Sequence, residues 1–155
     1  MFERTNNVRK IDGLLVASWT NKGWSKPKRL PKGAKGRGLS FERKMKKFLD
    51  KLDVDFVHDK WISFVDLNGA GMAQPDFLVV KDDFVLLIEC KLRESESGYE
   101  QMLSLYKPLV EMLYNKPVYC LQVVMSYSLK CSTQMNFFDM LKQPKQGKVV
   151  WRFGS

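Results

Sequence analysis

Two charged breaks in otherwise apolar runs constrain this chain more than any other feature. Gln74-Pro75-Asp76 leads into Phe77-Leu78-Val79-Val80, and Leu86-Leu87-Ile88 ends in Glu89-Cys90-Lys91. Lys81-Asp82-Asp83 between them has the size of a hairpin turn, so the two runs are expected to pair as antiparallel strands. Side chains alternate along a strand, which sends Glu89 and Lys91 to the same face. Pro75 suits the first position of a strand, where its missing N–H does no harm, and it leaves Asp76 where the strand begins. Charge at the end of a buried strand is costly unless it is paired or bound to a metal. Asp76 and Glu89 are therefore expected to converge within reach of one ion.

Two carboxylates, a backbone carbonyl at Cys90 and water are the hard oxygen donors that Mg²⁺ prefers, with Mn²⁺ as a substitute. Such an ion activates water and stabilises charge on phosphoryl oxygens. Lys91, a compact cation beside it, is the candidate to orient the attacking water or neutralise the phosphate. Upstream, Phe41, Met45, Phe48, Leu49 and Leu52 recur at helical spacing and predict an amphipathic helix over 40–52. Glu42 borders that apolar stripe, so it faces inward and is a further catalytic and metal-ligand candidate. The bland alternatives are a cross-strand ion pair for Glu89 and Lys91 and an exposed helix position for Glu42.

Residues 1–38 read as a separate arm, and 39–153 as one nuclease-sized domain. Leu14 to Ala17 with Trp19 suggest a short strand or an apolar anchor. After it, Lys22, Trp24, Lys26, Lys28, Arg29, Lys32, Lys35 and Arg37 follow one another with prolines and glycines and no acidic residue. Such a run repels itself and reads as a flexible, basic, nucleic-acid-binding arm, with Arg43 on the helix extending it. Twenty-six basic residues against seventeen acidic ones give a net charge of +9, which favours a polyanionic partner.

Beyond the hairpin, Tyr99 to Tyr114 reads as a second helix bent or split by Pro108. Val118 to Met125 reads as a strand, Met135 to Leu141 as a short helix and Val149 to Phe153 as a terminal strand. Val54 to Val57 and Trp61 to Val65 are further strand-like runs, and Asn68-Gly69-Ala70-Gly71 reads as a loop. His58 reads as a surface residue near strands. The order predicts an α/β fold, a mixed sheet flanked by helices. Cys90, Cys120 and Cys131 show no CxxC spacing and read as reduced thiols of a cytoplasmic protein. No apolar run has the length of a membrane span, so no membrane partner is expected.

Gly33-Ala34-Lys35-Gly36-Arg37-Gly38, followed by Phe41-Glu42-Arg43, resembles the opening of archaeal-type Holliday junction resolvases of the PD-(D/E)xK nuclease superfamily. Pro75-Asp76 and Ile88-Glu89-Cys90-Lys91 match that family's other metal motifs. Lys116-Pro117-Val118 and Val150-Trp151-Arg152-Phe153 resemble its later strands. The likeness spans roughly residues 33–153, with Ala73 where the family often carries a serine and a longer segment from Leu52 to Gln74. It implies a restriction-endonuclease-like fold and a homodimeric, Mg²⁺-dependent endonuclease that nicks paired strands of four-way DNA, in a prokaryotic or phage-infected cell. Gln101 is then a candidate to contact the scissile phosphate or Lys91, or else an ordinary polar helix position. Another repair or restriction-type nuclease, or a non-catalytic nucleic-acid-binding module, are the alternatives.

Overall fold

The computed structural model describes residues 9–21, 33–128 and 132–155, and the core of the fold is a mixed six-stranded sheet with helices on both faces. Its centre is β6 (Val85–Arg93) beside β7 (Val118–Ser126), which run parallel. On one side of β6 lie β5 (Phe77–Val80) and then β2 (Phe56–His58), both antiparallel to their neighbours. On the far side, β7 is followed by β9 (Val149–Arg152) and β8 (Thr133–Gln134), all parallel. Val85 to Ile88 are fully buried, as expected of a central strand covered on both faces.

The helices divide the core by strand parity. Phe77, Val79, Leu86, Ile88, Leu121 and Val123 pack against Phe41, Met45 and Leu49 of α1 (Ala34–Lys51), with Phe137 and Met140 of α4 (Phe137–Lys142) beside them. The intervening residues Leu78, Val85, Leu87, Cys120 and Val124 face a second helical layer. That layer is α2 (Glu96–Gln101), a π-helical turn at Met102–Tyr106, and α3 (Lys107–Tyr114). Pro108 does not end this helix. It has no N–H to donate to the Ser104 carbonyl, and that carbonyl instead accepts from the Ile11 N–H at 3.0 Å. The wide turn sits where the ring must be accommodated, and the chain continues as helix.

A smaller three-stranded antiparallel sheet packs over the α2–α3 side: β1 (Val16–Thr20), β3 (Trp61–Asp66) and β4 (Gly69–Ala73). It corrects two expectations. The segment 68–71 is not a loop, because the turn is only Leu67-Asn68 and the chain resumes as strand at Gly69, which takes φ 111°. Asp66, 2% exposed, holds that turn by accepting from the Asn68 N–H at 2.9 Å, the Asp12 N–H at 3.2 Å and Arg9 Nη2 at 2.5 Å. Burial alone would raise its pKa, but these donors and the charge of Arg9 outweigh it and hold the carboxyl below the usual aspartate value.

The second correction concerns residues 1–38. Within that stretch, residues 9–21 are tied into the fold through β1 and the Arg9–Asp66 bridge rather than lying outside it. Helix α1 also begins at Ala34 instead of Ser40, so Lys35 and Arg37 are exposed positions of its first turns. Gly36 and Gly38 each cost only about 1 kcal/mol in a helix. The packed stripe from Phe41 onward is long enough to carry them. Lys22, Trp24, Lys26, Lys28, Arg29, Lys32 and Cys131 lie outside the described residues. Cys90 and Cys120 are in no disulfide among the described residues, and burial pushes Cys120 up to about 12. No helix among the described residues is long and apolar enough to cross a membrane.

Candidate active site

The antiparallel register pairs Phe77 with Ile88, so the next residues outward, Asp76 and Glu89, stand opposite each other. The Asp76 N–H donates to Glu89 Oε2 at 3.1 Å, and the Cys90 N–H donates to Asp76 Oδ2 at 2.9 Å. Glu89 is 3% exposed and Pro75 is buried, which closes the site from beneath. Burial first, and the neighbouring Asp76 charge next, drive the Glu89 carboxyl well above its usual range, while Lys91 pulls it down.

This arrangement suits a hard cation. A buried acid held against a second, half-buried one either keeps a proton or is neutralised by a positive ion, and backbone N–H groups orient both sets of oxygens. Asp76 and Glu89 are therefore the residues that would hold a Mg²⁺-like ion, and Cys90 lies between Glu89 and Lys91 with its amide already committed to Asp76.

The second helical layer covers this site with residues that local sequence patterns did not single out. Gln122 stands opposite Glu89 on β7 and is fully buried. Its amide brackets Ser95, with Oε1 accepting from the Ser95 N–H at 2.6 Å and Nε2 donating to the Ser95 carbonyl at 2.9 Å. Ser95 Oγ in turn caps α2 by accepting from the Gly98 N–H at 3.1 Å. Gly98 thereby lies directly on Lys91: a β-carbon there would be 3.3 Å from Lys91 Cε and 2.9 Å from Gln122 Nε2. Tyr106, in the π-turn, is buried within electrostatic reach of Glu89 and Asp76. Burial above all, and those two charges after it, raise its hydroxyl well above the tyrosine norm. Helix distortions of this kind are frequent at functional sites. Gln101 is half-buried at the last position of α2, the helix whose Gly98 lies against Lys91.

Gly98→Ala is consequently expected to disturb Lys91 without unfolding the domain. The tighter contact is with Gln122 Nε2, held at both ends of its amide, so the methyl group strains the Ser95–Gln122 bracket as well as pressing on Lys91. Misplacing a catalytic group by a fraction of an ångström to one ångström lowers rate by roughly ten- to a hundredfold. Were the chain a nuclease, single-turnover DNA cleavage should fall in that range, with the melting temperature lowered by the strained Gln122 bracket. A wild-type rate would show that the position of Lys91 is not critical.

Glu42, expected to complete the site by holding a metal-bound water, has two further donor side chains beside it. It is 6% exposed on α1, and its carboxylate groups with His58 and Asp59, all three ligand atoms lying within 4.8 Å of one another. His58 is correspondingly no surface loop residue. It ends β2, half-buried, with its ring stacked on Phe77 at 4.4 Å and 11°. A lone histidine near strands carries no local signal of this; the signal lies in the pairing of His58 with Phe77 across the sheet.

No protein-family model matches the chain, and no curated protein matches it. Among solved structures, protein VC1899 from Vibrio cholerae is similar over 76% of this chain, with 13% identity and a TM-score of 0.43. The matched region spans 31% of that protein's length.

Proposed function

We propose that this chain is a metal-dependent DNA endonuclease with a restriction-endonuclease-like fold, acting on four-way junctions as a homodimer. The observation that carries the reading is buried Glu89 set against half-buried Asp76, on the strand face that Lys91 shares and oriented by backbone amides. Structural proteins rarely retain such an arrangement, because it costs stability unless an ion is taken up. The mixed sheet with the acids at the end of the β5–β6 hairpin, α1 on one face and α2–α3 on the other supports the finer fold reading. So does the resemblance of Pro75-Asp76, Glu89-Cys90-Lys91 and Phe41-Glu42-Arg43 to resolvase motifs.

Asp76 and Glu89 would hold Mg²⁺, with the Cys90 carbonyl as an additional oxygen donor. The bound ion supplies Lewis acidity toward a phosphodiester and eases ionisation of water. Lys91 contributes a fixed positive charge beside the carboxylates, placed to orient the nucleophile or offset charge on the phosphate as it becomes pentacovalent. Gly98 and Gln122 set where that charge sits. Buried Tyr106 feels the charge of both acids from the core side. Exposed Lys35, Arg37 and Arg43 on α1 present positive charge for phosphate contacts, which fix DNA position without reading sequence. Two copies related by a two-fold axis would address two strands of a symmetric junction.

The test is cleavage of a mobile-arm four-way junction beside linear duplex, flap and single-stranded DNA, with Mg²⁺ and with chelator. Paired nicks in the junction, absent with chelator, are expected. Equal cutting of linear duplex would remove the junction preference. Absence of cleavage on every substrate with Mg²⁺ and with Mn²⁺ would remove the nuclease.

A further inference from the structure

We infer that Glu42, His58 and Asp59 form a second cation site, distinct in chemistry from the Asp76–Glu89 pair and suited to a divalent transition metal such as Zn²⁺. The inference stands on donor type, spacing and support. One imidazole nitrogen and two carboxylate oxygens lie within 4.8 Å of one another, and His58 Nε2 is 3.1 Å from Asp59 Oδ2. Donors bound at about 2.0–2.2 Å to one ion are separated from each other by roughly 3–3.5 Å, so small side-chain movements would complete the shell. An imidazole donor favours Zn²⁺ over Mg²⁺, whereas two carboxylates alone do not.

Each donor is held by structure that a solvated charge cluster would not need. Glu42 is 6% exposed and projects from a helix whose neighbouring Phe41 and Met45 are locked in the core. The His58 ring is fixed by its stack on Phe77. Asp59 takes a left-handed backbone, φ 56°, which costs free energy for any residue with a side chain. That conformation is secured from both sides: the Asp59 N–H donates to the Asp76 carbonyl at 3.2 Å, and Gln74 Nε2 donates to the Asp59 carbonyl at 2.8 Å. The turn thus aims Asp59 back toward His58 and Glu42, and ties this cluster to the backbone of Asp76. Its effect would be to clamp α1 onto the edge strand β2, next to the carboxylate pair.

His58 is the chain's single histidine, so its ring nitrogens can be followed without ambiguity. The experiment is a Zn²⁺ titration of the full chain in Asp76→Asn/Glu89→Gln background, observed by long-range ¹H–¹⁵N NMR of the imidazole and by calorimetry. The expected result is one equivalent of Zn²⁺ bound with a large shift of a His58 ring nitrogen. Adding Glu42→Gln, which keeps side-chain volume and the helix, should weaken binding at least tenfold. An imidazole resonance that stays in place as Zn²⁺ is added would overturn the site. So would unchanged affinity in the Glu42→Gln variant, or loss of Zn²⁺ binding on neutralising Asp76 and Glu89 alone. His58→Gln, checked for folding by circular dichroism, should abolish the calorimetric signal. A Zn²⁺ affinity retained in that variant would equally count against it.

Discussion

Changing Asp76 to Asn, or Glu89 to Gln, is expected to lower Mg²⁺-supported DNA cleavage by about a thousandfold or more while leaving DNA binding intact. A metal ion at a phosphoryl group supplies several kcal/mol of charge stabilisation, and each 1.36 kcal/mol is about tenfold in rate. Neither amide can replace a carboxylate as an anionic ligand. Each keeps one carbonyl oxygen, however, so the Cys90 N–H can still donate to residue 76, and the Asp76 N–H to residue 89. The fold should therefore survive. It should even gain, because Glu89 is buried beside a like charge and the substitution removes that repulsion. With chelator present, the Glu89→Gln protein is expected to melt no lower than its parent at neutral pH. Junction binding by gel shift, cleavage rate and thermal melts measured on the same preparations test all three parts. Undiminished cleavage in either variant would sink the assignment of the acids. A collapse of binding together with cleavage would instead indicate a structural or DNA-contacting role.

Phe77→Ala is expected to cost about 3–5 kcal/mol of stability, the range for truncating a fully buried phenylalanine. Phe77 has no exposed surface, lies under α1, and meets Phe56 at 6.3 Å between ring centroids and His58 at 4.4 Å. Its ladder partner Ile88 is equally buried, so neighbouring side chains on the central strand have little room to collapse into the cavity. For a domain of this size the loss corresponds to a melting temperature lower by on the order of 10 °C. Urea denaturation at fixed ionic strength would measure it. A loss under 1 kcal/mol would mean that the β5 layer repacks freely, and that the hairpin is a poor platform for positioning Asp76. Phe77→Leu, which keeps most of the volume, should fall well short of the alanine effect.

The Asp76–Glu89 meeting was legible in the chain because every step of it is local. Two apolar runs, a three-residue connection and the two-residue period of a strand suffice to bring these side chains opposite one another. The buried stripe of α1 and the inward setting of Glu42 follow from helical periodicity in the same way. Helix α1 runs longer than its periodicity predicts because its glycine-rich first turns have poor local preference, which packing further along overrides. The π-turn was not legible either. It depends on a carbonyl of one segment finding the Ile11 N–H of another, 93 residues away in number (11 to 104).

What the sequence by itself determined is which residues share a strand face or a helix stripe, since covalent geometry repeats with fixed period wherever the chain runs. What only the tertiary structure decided is which stripe meets which strand. Glu42 faces inward by its place on the helix, but its company with His58 and Asp59 follows from how α1 packs against the sheet. Gly98 over Lys91, Gln122 beside Glu89 and Tyr106 near the acids arise the same way, from a helical layer folding back over the sheet. Those contacts are chosen by the packing of whole faces against each other, a condition that no window of neighbouring residues contains.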